Sequence, residues 1–180
     1  GANAFRPAVL TLGQFFYGEK ESKYFNLRKA YEYLGALSDN GVPEGQLAFG
    51  IFLYDNSDLM KDPVKAKGLS LKQLKLAAKN NMYAADYLIF LSMYQNVDSA
   101  SAKIKADMMA HLERAANNEN SAQGEAALYA AIYYKNGKLV DRDVSISMKY
   151  AQKAARLGNP DGHYFYGKHI LMGVSGSPDY

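Results

Sequence analysis

The sequence predicts an all-α fold made of repeated pairs of antiparallel helices. One observation is self-similarity, because five segments share a pattern of small and aromatic residues, with separations of 37, 40, 41 and 36 residues between equivalent positions. Another is the regular recurrence of helix-ending residues between these segments. No alternation of Val, Ile and Thr indicates a strand.

Each repeat is anchored at one position of its first helix, which we call helix A. The anchor residues are Gly13, Gly50, Phe90, Ala131 and Gly167. A small residue stands five positions earlier, at Ala8, Gly45, Ala85, Ala126 and Gly162. Small residues at fixed positions indicate close helix contacts. Phe90 departs from this rule, so we expect it either to splay the third repeat or to fill a gap left by its neighbours.

A second helix, helix B, follows in each repeat. Its end is marked by Leu37-Ser38, Ala77-Ala78, Ala115-Ala116 and Ala154-Ala155. Gly41, Asn81 and Gly158 come three residues after three of these pairs and suit a left-handed cap. Asp62 and Asp143 are expected N-caps, and Pro43 and Pro63 suit helix starts.

Together these signals predict nine helices in one domain that spans residues 1–180. The helices are Ala4–Tyr17, Asn26–Asp39, Pro43–Tyr54, Pro63–Asn80, Tyr83–Tyr94, Ser99–Asn117, Ala122–Tyr134, Val144–Leu157 and Asp161–Met172. The repeats cover about residues 4–41, 43–81, 83–120 and 122–158, with a partial unit at 161–180.

The order small-x-x-x-Leu-Gly-x-x-Tyr-x-x-Gly, then Lys-Ala, then Ala-Ala-x-x-Gly resembles the Sel-one-like repeat (SLR), a relative of the tetratricopeptide repeat. The clearest matches are Ala8/Leu12-Gly13/Phe16, Lys29-Ala30, Lys65-Ala66/Ala77-Ala78, Ala126/Tyr134/Gly137, Ala154-Ala155/Leu157-Gly158 and Gly162/Gly167/Gly173. The resemblance implies a right-handed α-α superhelix of about four and a half repeats, whose A helices line a concave surface. It also implies a bacterial scaffold or adaptor that binds another protein and is not an enzyme.

Composition excludes several other classes of protein. The 180 residues contain no cysteine, which excludes disulfides, thiolate zinc sites and cysteine nucleophiles. A net charge of +3 is too small for the basic surface of a duplex binder, so we expect no nucleic-acid partner. No apolar run reaches the roughly 20 residues of a membrane span. No cofactor or metal is expected, and the bacterial cytoplasm and the periplasm or exterior both remain open.

Tyrosine recurs four residues after the anchor in the first three repeats, at Tyr17, Tyr54 and Tyr94. One interpretation is an aromatic ladder on the concave face, because tyrosine gives large contact area at low entropic cost. The alternative is packing between helices A and B of the same repeat. The polar part of a binding groove is expected at Gln14, Ser92, Tyr133, Lys168 and His169.

Other patterns favour structural roles. Lys65, Lys72, Lys75 and Lys79 share one side of the fourth helix and are expected to form its solvated face. Asp55, Asp58 and Asp62 lack the glycine and terminal glutamate of a calcium loop, and we expect a polar linker. His163 and His169 lie about 120° apart around one helix and cannot share a metal.

Two further classes of function stay open. An RNA-binding helical array predicts basic or amide residues at the tyrosine position, and an enzyme requires a cleft with paired titratable groups. The last helix, Asp161–Met172, has no second helix in its repeat. We therefore expect a fragment of a longer array, or cover of this helix by a partner, by a dimer mate or by further residues.

Overall fold

The computed structural model describes residues 2–18, 20–94, 97–118 and 124–171, with side chains from residue 6 onward. These residues form nine α-helices, a short 3-10 turn at Ser57–Leu59 and no strand. The helices are α1 (Ala2–Gly18), α2 (Leu27–Asp39), α3 (Pro43–Asn56), α4 (Pro63–Lys79), α5 (Tyr83–Tyr94), α6 (Ala102–Asn117), α7 (Gly124–Asn136), α8 (Val144–Arg156) and α9 (Pro160–Leu171). Each predicted helix is found, with ends that agree to within three residues. The predicted ends Ala122 and Met172 lie outside the described residues.

The chain divides into two compact units, which comprise residues 1–88 and 89–180. In the first unit α1 packs on α2, α2 on α3 and α3 on α4. In the second unit α6 packs on α7, α7 on α8 and α8 on α9. The division falls within α5, which contributes residues to both units. Each unit is thus built from sequential helix pairs, as the repeat predicts.

Polar side chains define where the B helices begin. The carboxylates of Asp62 and Asp143 accept hydrogen bonds from backbone N–H groups three residues later, with N···O distances of 3.0 and 2.8 Å. Both predicted N-caps are therefore confirmed. Asn26 and Ser101 cap α2 and α6 in the same way, although the sequence analysis did not single them out. All four B helices thus start with a side chain that accepts from an unsatisfied backbone donor.

Left-handed residues define where three of the B helices end. Gly41, Asn81 and Gly158 have φ angles of 70°, 62° and 77°. The backbone N–H of the residue after each of them donates to a carbonyl within the preceding helix, which is the geometry of a Schellman-type cap. The predicted C-terminal caps are confirmed. Each one turns the chain tightly from a B helix into the A helix of the next repeat.

The anchor glycines of the first two repeats allow helices A and B to touch. A Cβ added to Gly13 would lie 2.5 Å from Cδ2 of Leu34, and one added to Gly50 would lie 2.8 Å from Cδ2 of Leu74. Gly167 differs, because among the described residues, which end at Leu171, nothing lies within 4 Å of its added Cβ.

Two serines confirm the register of the repeat. The Ser70 hydroxyl donates to the carbonyl of Gly50, and the Ser147 hydroxyl donates to the carbonyl of Ala131, both over 2.7 Å. Both serines are buried on B helices and both acceptors are anchor residues. The position of Leu74 is taken in the fourth repeat by the smaller Ala151. The second repeat therefore combines the small anchor Gly50 with Leu74, whereas the fourth repeat combines the larger anchor Ala131 with the smaller Ala151.

Phe90 fills a gap and becomes part of a core. Its side chain has no exposed surface, and its ring centroid lies 5.6–5.9 Å from the rings of Tyr94, Tyr129 and Tyr133. Of the two expectations for Phe90, filling a gap is the one that agrees with the structure. The aromatic cluster formed by these four residues belongs entirely to the second unit.

Leu37-Ser38 stands where the other three repeats have two alanines, and this difference has a structural reason. The Ser38 hydroxyl donates to Oε1 of Gln73 over 2.7 Å, and both side chains are buried. A small apolar residue at position 38 would leave the Gln73 carbonyl without this donor, at a cost of about 1–3 kcal/mol for a buried polar group. The serine therefore joins the B helices of the first two repeats, α2 and α4.

Candidate functional site

The tyrosines four residues after the anchors are the main candidate site residues of each unit. In the first unit Tyr17 and Tyr54 are both half-buried. The Tyr17 ring packs edge-on against Phe52, with centroids 5.2 Å apart. Burial raises the pKa of Tyr17, and the nearby Asp55 carboxylate raises it further. One edge of the Tyr17 ring therefore belongs to the core while the rest of the side chain reaches solvent.

Polar groups surround this tyrosine position in the first unit. Gln14 lies one turn earlier on α1 and is exposed. The pKa of Asp55 is raised by partial burial, an effect that the positive charge of Lys20 opposes. Asp55 thus sits near both an aromatic hydroxyl and a cation. We expect Asp55 in a polar linker, but the structure places it in the last turn of α3, with its carboxylate near Tyr17.

In the second unit Tyr94 is the exposed member of the aromatic cluster. Its side chain is 41% exposed, and its ring contacts Phe90 and Tyr129 at centroid distances of 5.9 and 6.0 Å. Its hydroxyl is hydrogen-bonded to that of Tyr133, and burial together with this bond raises the pKa of Tyr133. The Tyr94 ring is therefore held in place from one side and open to solvent on the other.

The remaining predicted groove residues differ in accessibility. Ser92 is half-buried, and its hydroxyl donates to the Ile89 carbonyl of its own helix over 2.7 Å. The Lys168 side chain is half-buried, with Nζ 6.0 Å from the centre of the Tyr164 ring. The only donor of the Ser92 side chain is thus already used within its own helix, whereas the Lys168 ammonium has three N–H groups that can donate to a partner.

Tyr133 and His169 do not offer contact surface. Tyr133 is 4% exposed because it lies within the aromatic cluster. His169 is 1% exposed, with Nδ1 3.0 Å from the Phe165 carbonyl and its ring 4.5 Å from the Phe165 ring. Their expected place in an open groove does not agree with this burial. Both residues lie on helix faces that pack inward.

An exposed aromatic patch in the first unit was not anticipated. Phe15 is 53% exposed and its ring lies 5.4 Å from that of Tyr24, in the loop between α1 and α2. Phe16 stacks on Tyr33 of α2 at 5.8 Å. The high tyrosine count and the run Phe15-Phe16-Tyr17 were available as signals. Which of these rings face solvent depends on how α2 and the loop pack, and the repeat pattern does not specify that.

The charged patterns have structural roles. Lys65, Lys72, Lys75 and Lys79 are all exposed on α4, which agrees with a solvated face. Asp58 forms an ion pair with Lys67 at 3.1 Å, and Asp62 caps α4. These two carboxylates therefore have separate structural partners. Within the residues that the structure describes, no three His, Asp or Glu side chains are arranged to hold a metal ion.

The described part of the first unit includes two cavities. One of about 640 Å³ is open to solvent beside the start of α4, and one of about 410 Å³ lies between α1 and the turn from α2 to α3. Their linings contain no Ser, Thr or His, so these cavities offer no hydroxyl nucleophile with an imidazole base. Among the described helices, none is both long and apolar enough to cross a bilayer.

The fold and the tyrosine positions define the class: a helical-repeat protein whose first three A helices carry partly exposed tyrosines near their ends. No protein-family model matches the sequence, and no curated protein matches it. A solved Sel1 repeat protein from Oxalobacter formigenes is similar in structure, with a TM-score of 0.72 and 19% identity over 97% of this chain and 67% of that one. A protective antigen with an SLR fold from uropathogenic Escherichia coli strains aligns with a TM-score of 0.41 and 16% identity, over 99% of this chain and 44% of that one.

The likeness to the Sel1 repeat protein shows the fold. The predicted fold class, an all-α solenoid of antiparallel helix pairs, is confirmed, and so is the structural resemblance to Sel-one-like repeats. At 19% identity the comparison carries no residue roles. Binding at the tyrosine positions therefore remains a prediction from the chain's own geometry.

Proposed function

We propose that this chain is a non-enzymatic module that binds a partner protein or peptide through its A helices, at Tyr17 and Tyr54 in the first unit and at Tyr94 in the second. The observation that supports the proposal is the position of Tyr94. Its ring is fixed on one side by Phe90 and Tyr129 and is 41% exposed on the other. An aromatic side chain that is already ordered loses little entropy when a partner covers it.

The two tyrosines of the first unit are also partly exposed. Tyr17 is held by Phe52, and Tyr54 is half-buried at the equivalent position of the next A helix. Nearby polar groups, Gln14 and Asp55, supply a hydrogen-bond donor and acceptors. Ordered rings with polar neighbours resemble the core and rim of protein interfaces. In the second unit Lys168 is a half-buried charged residue on another A helix, α9.

The test starts from the partner itself. The chain is expressed with an affinity tag in its source organism, the co-purifying protein is identified, and its dissociation constant is measured by calorimetry. We expect Tyr54→Ala and Tyr94→Ala each to weaken binding by more than about 1 kcal/mol, or about fivefold. Lys72→Ala is the control, because Lys72 lies on the exposed face of α4, and we expect little change.

Two further variants separate binding from folding. Tyr94→Phe keeps the ring packed on Phe90 and removes only the hydroxyl that bonds to Tyr133. It should therefore keep most of the affinity and the native circular dichroism spectrum. Equal losses for all three alanine variants would instead show that binding is not concentrated at the tyrosine positions. Co-purification that disappears on ribonuclease treatment would favour the RNA-binding alternative.

A further inference from the structure

Helix α4 begins one turn earlier in its repeat than helix α2 does. Leu34 of α2 and Leu74 of α4 occupy equivalent places, because each would meet a Cβ added to the anchor glycine of its own repeat. Leu34 lies eight residues after the N-cap Asn26, whereas Leu74 lies twelve residues after the N-cap Asp62. The four extra residues are about one helical turn. The first turn of α4 therefore has no counterpart on α2.

This extra turn borders the larger cavity of the first unit, which has a volume of about 640 Å³. Pro63, Lys65 and Ala66 of the extra turn line the cavity, together with Tyr31 of α2 and Leu53 of α3. All of its lining residues lie between positions 31 and 69, a part of the chain in which every residue is described. The cavity therefore lies where α4 extends past the start of α2.

The inner wall of the cavity is apolar and belongs to the core. Leu53 and Ala66 are buried members of the core cluster of the first unit, and Met60 and Leu69 pack against that cluster. The Tyr31 ring packs edge-on against an α3 phenylalanine ring, with centroids 5.0 Å apart, and the residue is 43% exposed. Ligand cavities commonly have this size and a mostly apolar lining with a few polar groups. The wall therefore suits an apolar group of a ligand.

The rim of the cavity carries two cations, Lys61 and Lys65. Both are exposed, and neither forms an ion pair with a carboxylate among the described residues. The one acidic residue of the lining, Asp62, accepts a hydrogen bond from the backbone N–H of Lys65 as the cap of α4. Two ammonium groups thus face one carboxylate, and the N-terminal end of α4 adds partial positive charge. The rim therefore favours a ligand with a single negative charge.

We infer that this cavity binds a small carboxylate with an apolar tail, with the tail against Leu53 and Leu69 and the carboxylate at Lys61 and Lys65. The lysine ammonium groups donate charge-assisted hydrogen bonds to the carboxylate oxygens. Two sources have this chemistry: a medium-chain fatty acid, and the C-terminal residue of a peptide that ends in an apolar side chain. The cavity residues are different from the candidate tyrosines, so the inference does not depend on the function proposed for those tyrosines.

Titration of the full chain with octanoate, followed by NMR of isotope-labelled backbone amides, tests the site. We expect the largest shift changes at Tyr31, at Leu53 and at residues 60–69. In the series hexanoate, heptanoate and octanoate, each added methylene should tighten the dissociation constant about threefold to fourfold, because it buries more apolar surface. Octylamine has the same tail with a positive charge and should bind roughly tenfold more weakly than octanoate. All ligands are kept below their critical micelle concentration.

Two double variants form the matched pair. Lys61→Gln with Lys65→Gln removes the rim cations, whereas Lys72→Gln with Lys75→Gln removes the same charge from the exposed face of α4 outside the cavity. We expect octanoate to bind roughly tenfold more weakly to the first variant and equally to the second and the wild type. Neutral 1-octanol should bind all three proteins equally, which shows that the cavity is intact in each.

A peptide arm separates the two sources. A short acetylated glycine peptide that ends in leucine with a free carboxylate is compared with octanoate and with its own C-terminal amide. Tighter binding of the peptide acid than of octanoate, lost in the amide, would support the inference and assign the cavity to a polypeptide C-terminus. Tighter binding of octanoate would support it and assign the cavity to a fatty acid.

Three results would overturn the inference. The first is the absence of saturable octanoate binding, or shift changes that are largest away from the lining residues. The second is octylamine binding as tightly as octanoate, which would show that the rim does not select an anion. The third is an equal loss of octanoate affinity in both lysine variants, which would assign the effect to the overall charge of α4 rather than to the cavity rim.

Discussion

Replacement of Gly50 by leucine tests the contact on which the repeat depends. The Cβ alone would lie 2.8 and 2.9 Å from Leu74 carbons and 3.3 Å from the Leu74 backbone nitrogen. Carbon atoms pack best at about 3.5–4.0 Å, so Leu74 has to move by roughly an ångström even before the rest of the new side chain is placed. Leu74 has no exposed surface, so this movement displaces the core.

The magnitude follows from two opposing effects. Overpacking of a closed contact costs about 1–3 kcal/mol, and replacing a helical glycine by leucine returns somewhat less than about 1 kcal/mol. Gly50→Leu should therefore lower the free energy of unfolding by about 0.3–2 kcal/mol, which for a chain of this length lowers Tm by roughly 1–8 °C. The control is Gly68→Leu, because Gly68 is exposed on α4 and a Cβ added there has nothing within 4 Å. This variant gains helix propensity without a steric clash.

The assay is urea denaturation of the two variants beside the wild type, followed by circular dichroism. The midpoint of Gly50→Leu should fall and that of Gly68→Leu should stay level or rise, with unchanged m values. The difference between the two variants isolates the packing cost from helix propensity. The reasoning would be refuted if Gly50→Leu were as stable as Gly68→Leu, since Gly50 would then not face a closed contact.

Three further predictions concern the same framework. Ser70→Ala and Ser147→Ala should each lower the free energy of unfolding by about 0.5–1.5 kcal/mol in urea melts, because each removes a buried hydrogen bond to an anchor carbonyl. Asp143→Ala should cost about 1 kcal/mol in the same assay through loss of the α8 cap, whereas Asp143→Asn should cost little. Burial raises the pKa of Tyr17 above the usual range for tyrosine, so this ring should ionise late in an absorbance titration at alkaline pH. The pKa of Tyr17 is higher in the folded state than in the unfolded state. The contribution of neutral Tyr17 to folding stability is therefore fully present below the unfolded pKa and is lost as pH rises through the folded pKa.

The sequence alone was sufficient for the fold because the signals that set it are local and repeated. Asp62 and Asp143 cap helices through bonds to residues three positions later, and Gly41 and Gly158 need only their own left-handed backbone. Such residues act the same way wherever they occur, so a pattern of them predicts the helices. Their recurrence at intervals of 36 to 41 residues then gives the repeat.

The candidate site was harder to predict because exposure depends on contacts between helices. Tyr94 and Tyr133 both come from A helices and touch the same Phe90, yet one is open to solvent and the other buried. Ser38 meets Gln73, 35 residues away, through a bond that neither local sequence suggests. His169 packs on Phe165 of its own helix and is covered. Residue type and register identify the aromatic positions, but packing decides which of them face a partner.

Photo-crosslinking tests most directly whether the tyrosine surface binds a protein. A benzoylphenylalanine placed at position 94 keeps an aromatic ring on the Phe90 cluster, and one placed at position 72 lies on the solvated face of α4. After irradiation in the source organism, the account predicts one protein crosslinked through position 94 and none through position 72. Crosslinks to the same protein from both positions, to RNA from position 94, or only from position 72 would contradict it.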